Sequence, residues 1–309
     1  MKVLAIANQK GGVGKTTTSL NLAYCLSKTM GYKVLLIDSD SQGSAGLNLG
    51  IDVFGDDDNA VMLDDILEPM ALHQYVEPNW EQIEKSIVTP TFENRMRDPQ
   101  DSMKWITYNE PFGFDIIPSR LYLSVVEMYI GMTGGRNGSG INTYMLRDVI
   151  NLIEIHRNYD YIIIDCPPSL GPLSLNDLAA AKDGIIAVSN LDVMSLRGMS
   201  SFIQTVDTVK EKVAGHRGIL GILLTLHSDR RTVDKNVENW VQQFLPIPTF
   251  DTRIPDTTNV KKANSMMMLY AQIDKKGKAA YDSLAKEVDF AVNHPDVLIG
   301  SAKMEGGNF

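Results

Sequence analysis

The sequence NQKGGVGKTT, residues 8–17, decides the interpretation of this chain. It follows an apolar run at residues 3–7, typical of a buried strand, and precedes residues 19–30, whose apolar positions recur on one side of a helix. A glycine-rich turn between a strand and a helix is the context of a phosphate-binding loop, in which backbone N–H groups converge on phosphate oxygens. These flanks disfavour the alternative, a glycine-rich turn without a ligand, and they predict a nucleotide-binding protein.

Several positions of the loop carry a specific expectation. Lys15 is expected to reach the β- and γ-phosphates of the nucleotide, and the hydroxyl of Thr16 to hold Mg²⁺. The pattern is unusual, because Gln9 stands where such a loop has its first glycine, and Lys10 follows it. Residues 10–17 resemble the deviant Walker A loop of the ParA/MinD family, and their surroundings are most similar to ParA-type partition ATPases.

This resemblance implies a function and a set of contacts. Members of the family are ATPases that use ATP with Mg²⁺, and their early lysine, here Lys10, crosses a dimer interface to the nucleotide of the other subunit. A cation supplied in this way stabilises charge on the transferred phosphoryl group, as an arginine finger does. The loop residues that the resemblance assigns to ATP binding are Lys10, Gly11, Gly12, Val13, Gly14, Lys15, Thr16 and Thr17.

The sequence KVLLIDSDSQG, residues 33–43, predicts a second buried strand that ends in two carboxylates. Alternation places Asp38 and Asp40 on the same side, at the end of the strand where open α/β sheets bind ligands. Two turn-capping aspartates are the alternative on local chemistry. The segment resembles the D-x-D-P-Q motif of the family, which implies that Asp40 positions the attacking water and that Asp38 lies near Mg²⁺. Ser41 stands where the family usually has proline.

A third apolar strand ends in the sequence IIIDCPPSLG, residues 162–171, which is typical of a Walker B motif. Its carboxylate, Asp165, is expected to hold Mg²⁺, although a helix cap is an alternative role. The motif closely resembles that of partition ATPases. Residues 253–255, together with the nearby residues 260–263, resemble the family segment that lines the purine, which adds Pro255 to the ATP-binding set. The complete predicted metal set is Thr16, Asp38 and Asp165, and the predicted catalytic set is Lys10, Lys15 and Asp40.

Acidity is concentrated in one segment of the chain. Residues 51–112 hold 14 acidic against 4 basic side chains, whereas the rest holds 24 against 25, so a polyanion can approach another face. Within this segment we predict one or two helical turns at residues 62–67 and an edge strand at residues 86–89. Its prolines are expected to break any long element. A partner-recognition surface and a solvated insertion without a specific role are both open interpretations.

Outside residues 51–112 the resemblance covers nearly the whole chain. It implies an α/β fold, doubly wound around a mostly parallel sheet, with one P-loop ATPase domain at residues 1–295 and a tail at residues 296–309. Residues 131–140, which contain five glycines, are expected to form a flexible loop. The implied function is an ATP-dependent homodimer that segregates plasmid or chromosomal DNA in the cytoplasm, on the nucleoid, with a ParB-like centromere-binding partner.

Non-specific DNA binding by the ATP-bound dimer is part of the same expectation. Residues 226–278 hold nine basic against six acidic side chains, an excess that a solvated face explains almost as well. The residues predicted to contact DNA are Arg230, Arg231, Lys261 and Lys262.

Three other functions are alternatives to DNA partition. A ParA-like ATPase that positions a protein cargo on the nucleoid uses the same machinery. A MinD-like membrane switch needs a basic amphipathic C-terminal helix, which residues 293–307 do not predict, and no apolar run reaches the length of a membrane span. An iron–sulfur reductase needs cysteines that bridge two subunits, whereas Cys25 and Cys166 suit a reducing compartment and lack metal-site spacing.

Overall fold

The computed structural model describes residues 1–54, 60–73, 76–97, 104–133, 143–190, 193–228 and 247–295. Its strands are β1 (Lys2–Ala7), β2 (Val34–Asp38), β3 (Thr91–Arg97), β4 (Trp105–Pro111), β5 (Asp115–Ile117), β6 (Tyr161–Asp165), β7 (Gly184–Asn190), β8 (Ile219–His227) and β9 (Thr249–Pro255). Its helices are α1 (Lys15–Lys28), α2 (Ser44–Asn48), α3 (Leu63–Leu72), α4 (Trp80–Ser86), α5 (Leu123–Thr133), α6 (Met145–His156), α7 (Pro172–Ala180), α8 (Val193–Lys212), α9 (Asn259–Ser265), α10 (Tyr270–Ile273) and α11 (Lys275–Asn293).

Seven of the described strands form one sheet in the order β5-β2-β6-β1-β7-β8-β9. Every neighbouring pair in this order is parallel. Parallel neighbours require crossover connections, and the helices that supply them cover both faces, so the central strands β1, β2 and β6 are buried along nearly their whole length. The predicted doubly wound α/β fold is confirmed.

Each face of the sheet has its own hydrophobic core. On one face, alternate residues of the central strands, such as Val3 and Ile162, pack against α3 and helices α5 to α8. On the other face, their neighbours, such as Leu4 and Ile163, pack against α1 and α11. Among the described residues no helix has the length and apolar character that crossing a membrane requires.

The acidic segment 51–112 is partly built into the first of these cores. The apolar side of α3 is buried there through Leu63, Ile66, Leu67 and Met70. The expectation that proline would break this element was wrong, because Pro69 lies inside α3. The edge strand expected at residues 86–89 was also wrong. Only an isolated bridge between Val88 and Ile116 forms there, since α4 extends to Ser86.

A two-stranded antiparallel ribbon, β3–β4, was not anticipated from the sequence. It pairs with no strand of the main sheet, and most of its residues are exposed. Without a buried face, the period-two apolar pattern that signals a strand is weak. Its base is fixed by Phe92, whose ring centroid lies 4.9 Å from that of Phe112.

Several expectations fall outside the described residues. They are the tail at residues 296–309, the basic pair Arg230–Arg231, and most of the glycine-rich segment 131–140. The described part of that segment, residues 131–133, belongs to α5, so the expectation of a loop was wrong for these residues.

Candidate nucleotide site

Three segments that the sequence marks for nucleotide chemistry follow neighbouring strands. β6 lies between β2 and β1, and Asp165 is in register with Asp38 on one side and with Ile6 on the other. The glycine-rich loop after β1, the turn after β2 and the end of β6 therefore share the carboxyl edge of the sheet. This is where open α/β sheets bind ligands.

The backbone of the glycine-rich loop has the form of an anion cradle. Gly12 and Gly14 have φ values of 73° and 92°, a region that favours glycine. Gly14 is the N-cap of α1, where no side chain caps the helix and no acidic residue occupies its first turn. The N–H groups and the dipole of α1 are thus available to a phosphate.

Two polar residues outside the predicted set hold the loop in place. The Thr225 hydroxyl donates to the carbonyl of Val13 at 2.7 Å. Asn8 donates from its amide to the carbonyl of Val188 and accepts from the backbone N–H of Lys10 at 3.2 Å. Thr225 lies 212 positions from Val13, so no local sequence signal links them.

Lys15, the first residue of α1, is buried, with 7% of its surface exposed. Its Nζ donates to the carbonyl of Lys10 at 3.3 Å. Burial lowers the pKa of Lys15, and the carboxylates of Asp165 and Asp40 oppose that shift. The ammonium group therefore lies among the groups predicted to act on phosphates, in surroundings poor in water.

Asp165 is fully buried beside this lysine. Its Oδ1 accepts from the Ser19 hydroxyl at 2.8 Å, whereas Oδ2 is buried without a hydrogen-bond partner. Burial raises the pKa of Asp165, and hydrogen bonding to Thr16 and Ser19 opposes the rise. Sequence reasoning missed Ser19, although its position one turn after Lys15 places it on the same side of α1.

The carboxylate of Asp38 is also buried, and it accepts three backbone N–H groups. Its Oδ1 accepts from Asp40 at 3.2 Å, and its Oδ2 accepts from Ala45 at 3.0 Å and from Gly46 at 3.3 Å. Burial and the nearby Asp165 raise the pKa of Asp38 well above its usual value. The turn-capping geometry that the sequence left open is present, together with proximity to Asp165.

Asp40 lies on the turn after β2 and is partly exposed. Its Oδ1 accepts from the N–H of Gln42 at 3.0 Å, and its carbonyl accepts from the Ser119 hydroxyl at 2.6 Å. Its charge acts on both Lys15 and Asp165. The structure thus brings the carboxylates after β2 and β6 and the loop lysine into one cluster.

The residues present fit a magnesium ion. Asp165 Oδ2 is a buried oxygen without a partner, the Thr16 hydroxyl is close to this carboxylate, and Asp38 adds a second buried carboxyl group nearby. Mg²⁺ in phosphate sites usually takes one or two protein oxygens and fills its remaining positions with water and phosphate. No group of three or more His, Cys, Asp or Glu side chains in the described part of the chain forms a metal cage.

The remaining residues considered from the sequence lie at the end of β9, on α9 or in the core. Pro255 ends β9 and is half-buried, in register with His227 of β8. Lys261 and Lys262 are exposed on α9, which follows it. Cys25 and Cys166 are free and buried, which does not suit a cluster bridging two subunits.

Comparisons with known proteins agree with this geometry. A family model described as an AAA domain matches residues 1–217. The chain is 32% identical to the chromosome partitioning protein ParA of Caulobacter vibrioides, over 93% of this chain and 94% of that protein. It is also 32% identical to the sporulation initiation inhibitor protein Soj of Bacillus subtilis, over 93% of this chain and 98% of that protein.

Solved structures with the same fold include enzymes with other names. Cobyrinic acid a,c-diamide synthase from Mycobacterium smegmatis, with bound ADP and magnesium, has a TM-score of 0.70 and 29% identity, and covers 96% of this chain and 95% of its own. The cell division ATPase MinD of Pyrococcus furiosus has a TM-score of 0.64 and 21% identity, with 93% and 98% covered, and shows the fold alone. The chain belongs to the ParA/MinD family of P-loop ATPases.

Proposed function

We propose that this chain is an ATP-dependent partition ATPase, which dimerises around ATP and Mg²⁺ and segregates plasmid or chromosomal DNA together with a ParB-like centromere-binding protein. The observation that carries the chemistry is the cluster at the carboxyl edge of the sheet, where the uncapped N-terminus of α1, buried Lys15 and the unpartnered oxygen of Asp165 meet. The cargo is supported by the names of the relatives that share 32% identity.

Each side chain has a role in binding that follows from its surroundings. The backbone N–H groups of residues 11–17 bind phosphate oxygens, and Lys15 adds a charge-assisted hydrogen bond in a site of low dielectric. Thr16 and Asp165 hold Mg²⁺, with Asp38 close by. When bound, the ion would neutralise negative charge on the phosphate oxygens.

Hydrolysis and its control depend on two further residues. Asp40 orients the attacking water, because its partly exposed carboxylate faces the region that Lys15 and Asp165 share. Lys10 reaches the nucleotide of the second subunit and stabilises the transferred phosphoryl group from outside the protomer. Binding of the second subunit therefore completes each site.

The proposed homodimer also explains a switch in DNA binding. Lys261 and Lys262 are exposed beyond the carboxyl edge of β9, and Arg230 and Arg231 add basic charge in the sequence. Dimerisation brings two copies of such a face together, so phosphate contacts double without a large rearrangement. The proposed location is the cytoplasm, on the nucleoid.

The test compares the purified chain with its Asp40→Ala variant. We expect the wild-type chain to sediment as a monomer with ADP and as a dimer with ATP, and to release phosphate slowly. Asp40→Ala should bind ATP with similar affinity, accumulate as the dimer and lose turnover. Loss of ATP binding in the variant would move Asp40 from chemistry to structure, and a wild-type chain that neither binds nor hydrolyses ATP would exclude the function.

A further inference from the structure

Asp177 is a buried carboxylate that the steps described above do not use. It lies on α7 with none of its surface exposed, and its Oδ1 accepts from the Ser39 hydroxyl at 2.8 Å. Its Oδ2 has no hydrogen-bond partner, and the thiol of Cys166 contacts the same carboxyl group. Asp177 therefore touches the residue between Asp38 and Asp40 as well as the residue after Asp165.

The turn that carries Asp40 is held from two sides by serine hydroxyls. Ser39, fully buried, connects the turn to α7 through Asp177. Ser119, which follows β5 and is also fully buried, donates to the carbonyl of Asp40 at 2.6 Å. The two bonds join residues 138 and 79 positions apart, so they tie the turn to two separate elements.

Such anchoring matters because Asp40 itself is partly exposed. Its side chain bonds locally, accepting from the N–H of Gln42 on the same turn. A group that orients water must be held within a fraction of an ångström, and misplacement by about 1 Å can lower a rate about a hundredfold. The backbone on each side of Asp40 supplies that restraint.

We propose that Asp177 and Ser119 are positioning residues for ATP hydrolysis, which fix the Asp40 turn by the hydrogen bonds Ser39–Asp177 and Ser119–Asp40. The inference rests on the proposed role of Asp40. Burial raises the pKa of Asp177 well above its usual value, which is compatible with a neutral carboxyl group. Its task is then that of a hydrogen-bond acceptor and needs no charge.

The variants test the two hydrogen bonds separately. Ser39→Ala and Asp177→Ala each remove the same hydrogen bond, and Ser119→Ala removes the other. Asp177→Asn keeps an acceptor oxygen in place. Tyr161→Phe is the matched control, because it removes a 2.6 Å hydrogen bond to Asp289 at the opposite end of β6.

Turnover is measured per ATP-binding molecule, counted by titration with a fluorescent ATP analogue, so that misfolded protein does not contribute. We expect Ser39→Ala, Asp177→Ala and Ser119→Ala to lower kcat by about tenfold to about a hundredfold, with KM changed by less than about twofold. Asp177→Asn should retain most of the wild-type rate. The double variant Ser39→Ala/Asp177→Ala should be no slower than either single variant, since both remove one bond.

Wild-type kcat in Ser39→Ala would overturn the proposal, as would equal loss in Asp177→Ala and Asp177→Asn. A lower melting temperature with unchanged kcat per binding site would show that Asp177 contributes to stability alone, and it would also overturn the proposal. Ser39→Ala creates only a small cavity, so it keeps the test decisive if Asp177→Ala fails to fold. A full rate in Asp40→Ala would instead refute the proposed role of Asp40, which separates the two failures.

Discussion

Lys15 combines two properties that rarely occur together, a charge and near-complete burial. Its Nζ donates to the backbone carbonyl of Lys10 at 3.3 Å, a weak interaction for an ammonium group. A phosphate would give this ammonium group a charged hydrogen-bond acceptor. The sequence predicted the lysine because its spacing to the glycines is local, whereas the hydrogen bond from Thr225 to Val13 joins residues 212 positions apart.

Lys15→Ala should therefore abolish ATP binding and ATP-dependent dimerisation. The lost charge-assisted hydrogen bond is worth about 1.5–3 kcal/mol, or about tenfold to more than a hundredfold in affinity. Titration with a fluorescent ATP analogue measures the loss, and sedimentation measures the dimer. Lys33→Ala, an exposed lysine before β2, is the matched control and should bind normally. Normal affinity in Lys15→Ala would remove the lysine from the site.

The second lysine of the loop, Lys10, should behave differently. Lys10→Ala is expected to leave nucleotide binding by the monomer nearly intact, because its proposed target is the nucleotide of the other subunit. Partner-stimulated hydrolysis should fall sharply, and the measurement is phosphate release with and without the ParB-like protein. A full stimulated rate in this variant would show that the unusual loop has no such mechanism.

At the scale of elements, prediction succeeded where an element is continuous and buried on both faces. β1, β2 and β6 are each an apolar run followed by a motif, which is the pattern of a buried parallel strand. The β3–β4 ribbon has no such run, since it is exposed, and β9 alternates between buried and exposed residues next to a motif. α3 was underestimated because Pro69 was given its usual helix-breaking effect.

α3 also shows how the acidic segment is tied to the site. The Arg120 guanidinium donates to Asp64 at 2.8 Å and to Asp65 at 2.6 Å, and Arg120 follows directly after Ser119. Asp64 is fully buried at the start of α3. Burial raises its pKa, Asp65 adds to the rise, and Arg120 opposes it. The segment is therefore anchored where the Asp40 turn is anchored.

Arg120→Met should lower the free energy of unfolding by about 2–3 kcal/mol, because it leaves the buried Asp64 without its cationic partner. Removal of the arginine raises the pKa of Asp64 further, so the folded variant binds this proton more tightly than the unfolded chain. Its deficit should then shrink as the pH falls. Urea unfolding at neutral and mildly acidic pH measures both effects.

The control for this variant is Arg95→Met, which removes an exposed ion pair with Glu93 at 3.5 Å. Such pairs contribute about 0–1 kcal/mol, so little change is expected at either pH. Equal effects of the two substitutions would show that Arg120 is not a buried anchor.

At the scale of the whole molecule, the uneven distribution of charge reconciles a net charge of −9 with the proposed binding of DNA. Acidic side chains are concentrated in residues 51–112. The base of the β3–β4 ribbon packs through Phe92 and Phe112 on the face of α1 and α11, whereas α3 and α4 pack on the other face. Lys261 and Lys262 lie on α9, whose neighbours pack on the opposite face of the sheet. A polyanion that approaches α9 therefore avoids the acidic side chains of α3 and α4.

Binding to random duplex DNA should be strong with ATP and weak with ADP, since the dimer doubles the number of phosphate contacts. The logarithm of the affinity should fall with the logarithm of salt concentration by about 0.9 per phosphate neutralised. Lys261→Glu with Lys262→Glu, and separately Arg230→Glu with Arg231→Glu, should weaken binding to all sequences alike and leave DNA-free ATPase activity unchanged.

The control is the double variant Lys33→Glu with Lys212→Glu, which makes the same charge change at exposed sites along the amino-terminal edge of the sheet and should bind DNA normally. Filter binding with ATP and with ADP measures these affinities. Equal affinity in the two nucleotides, or no binding at low salt, would contradict the prediction. The basic residues would then be ordinary surface, and transport of a protein cargo would be favoured.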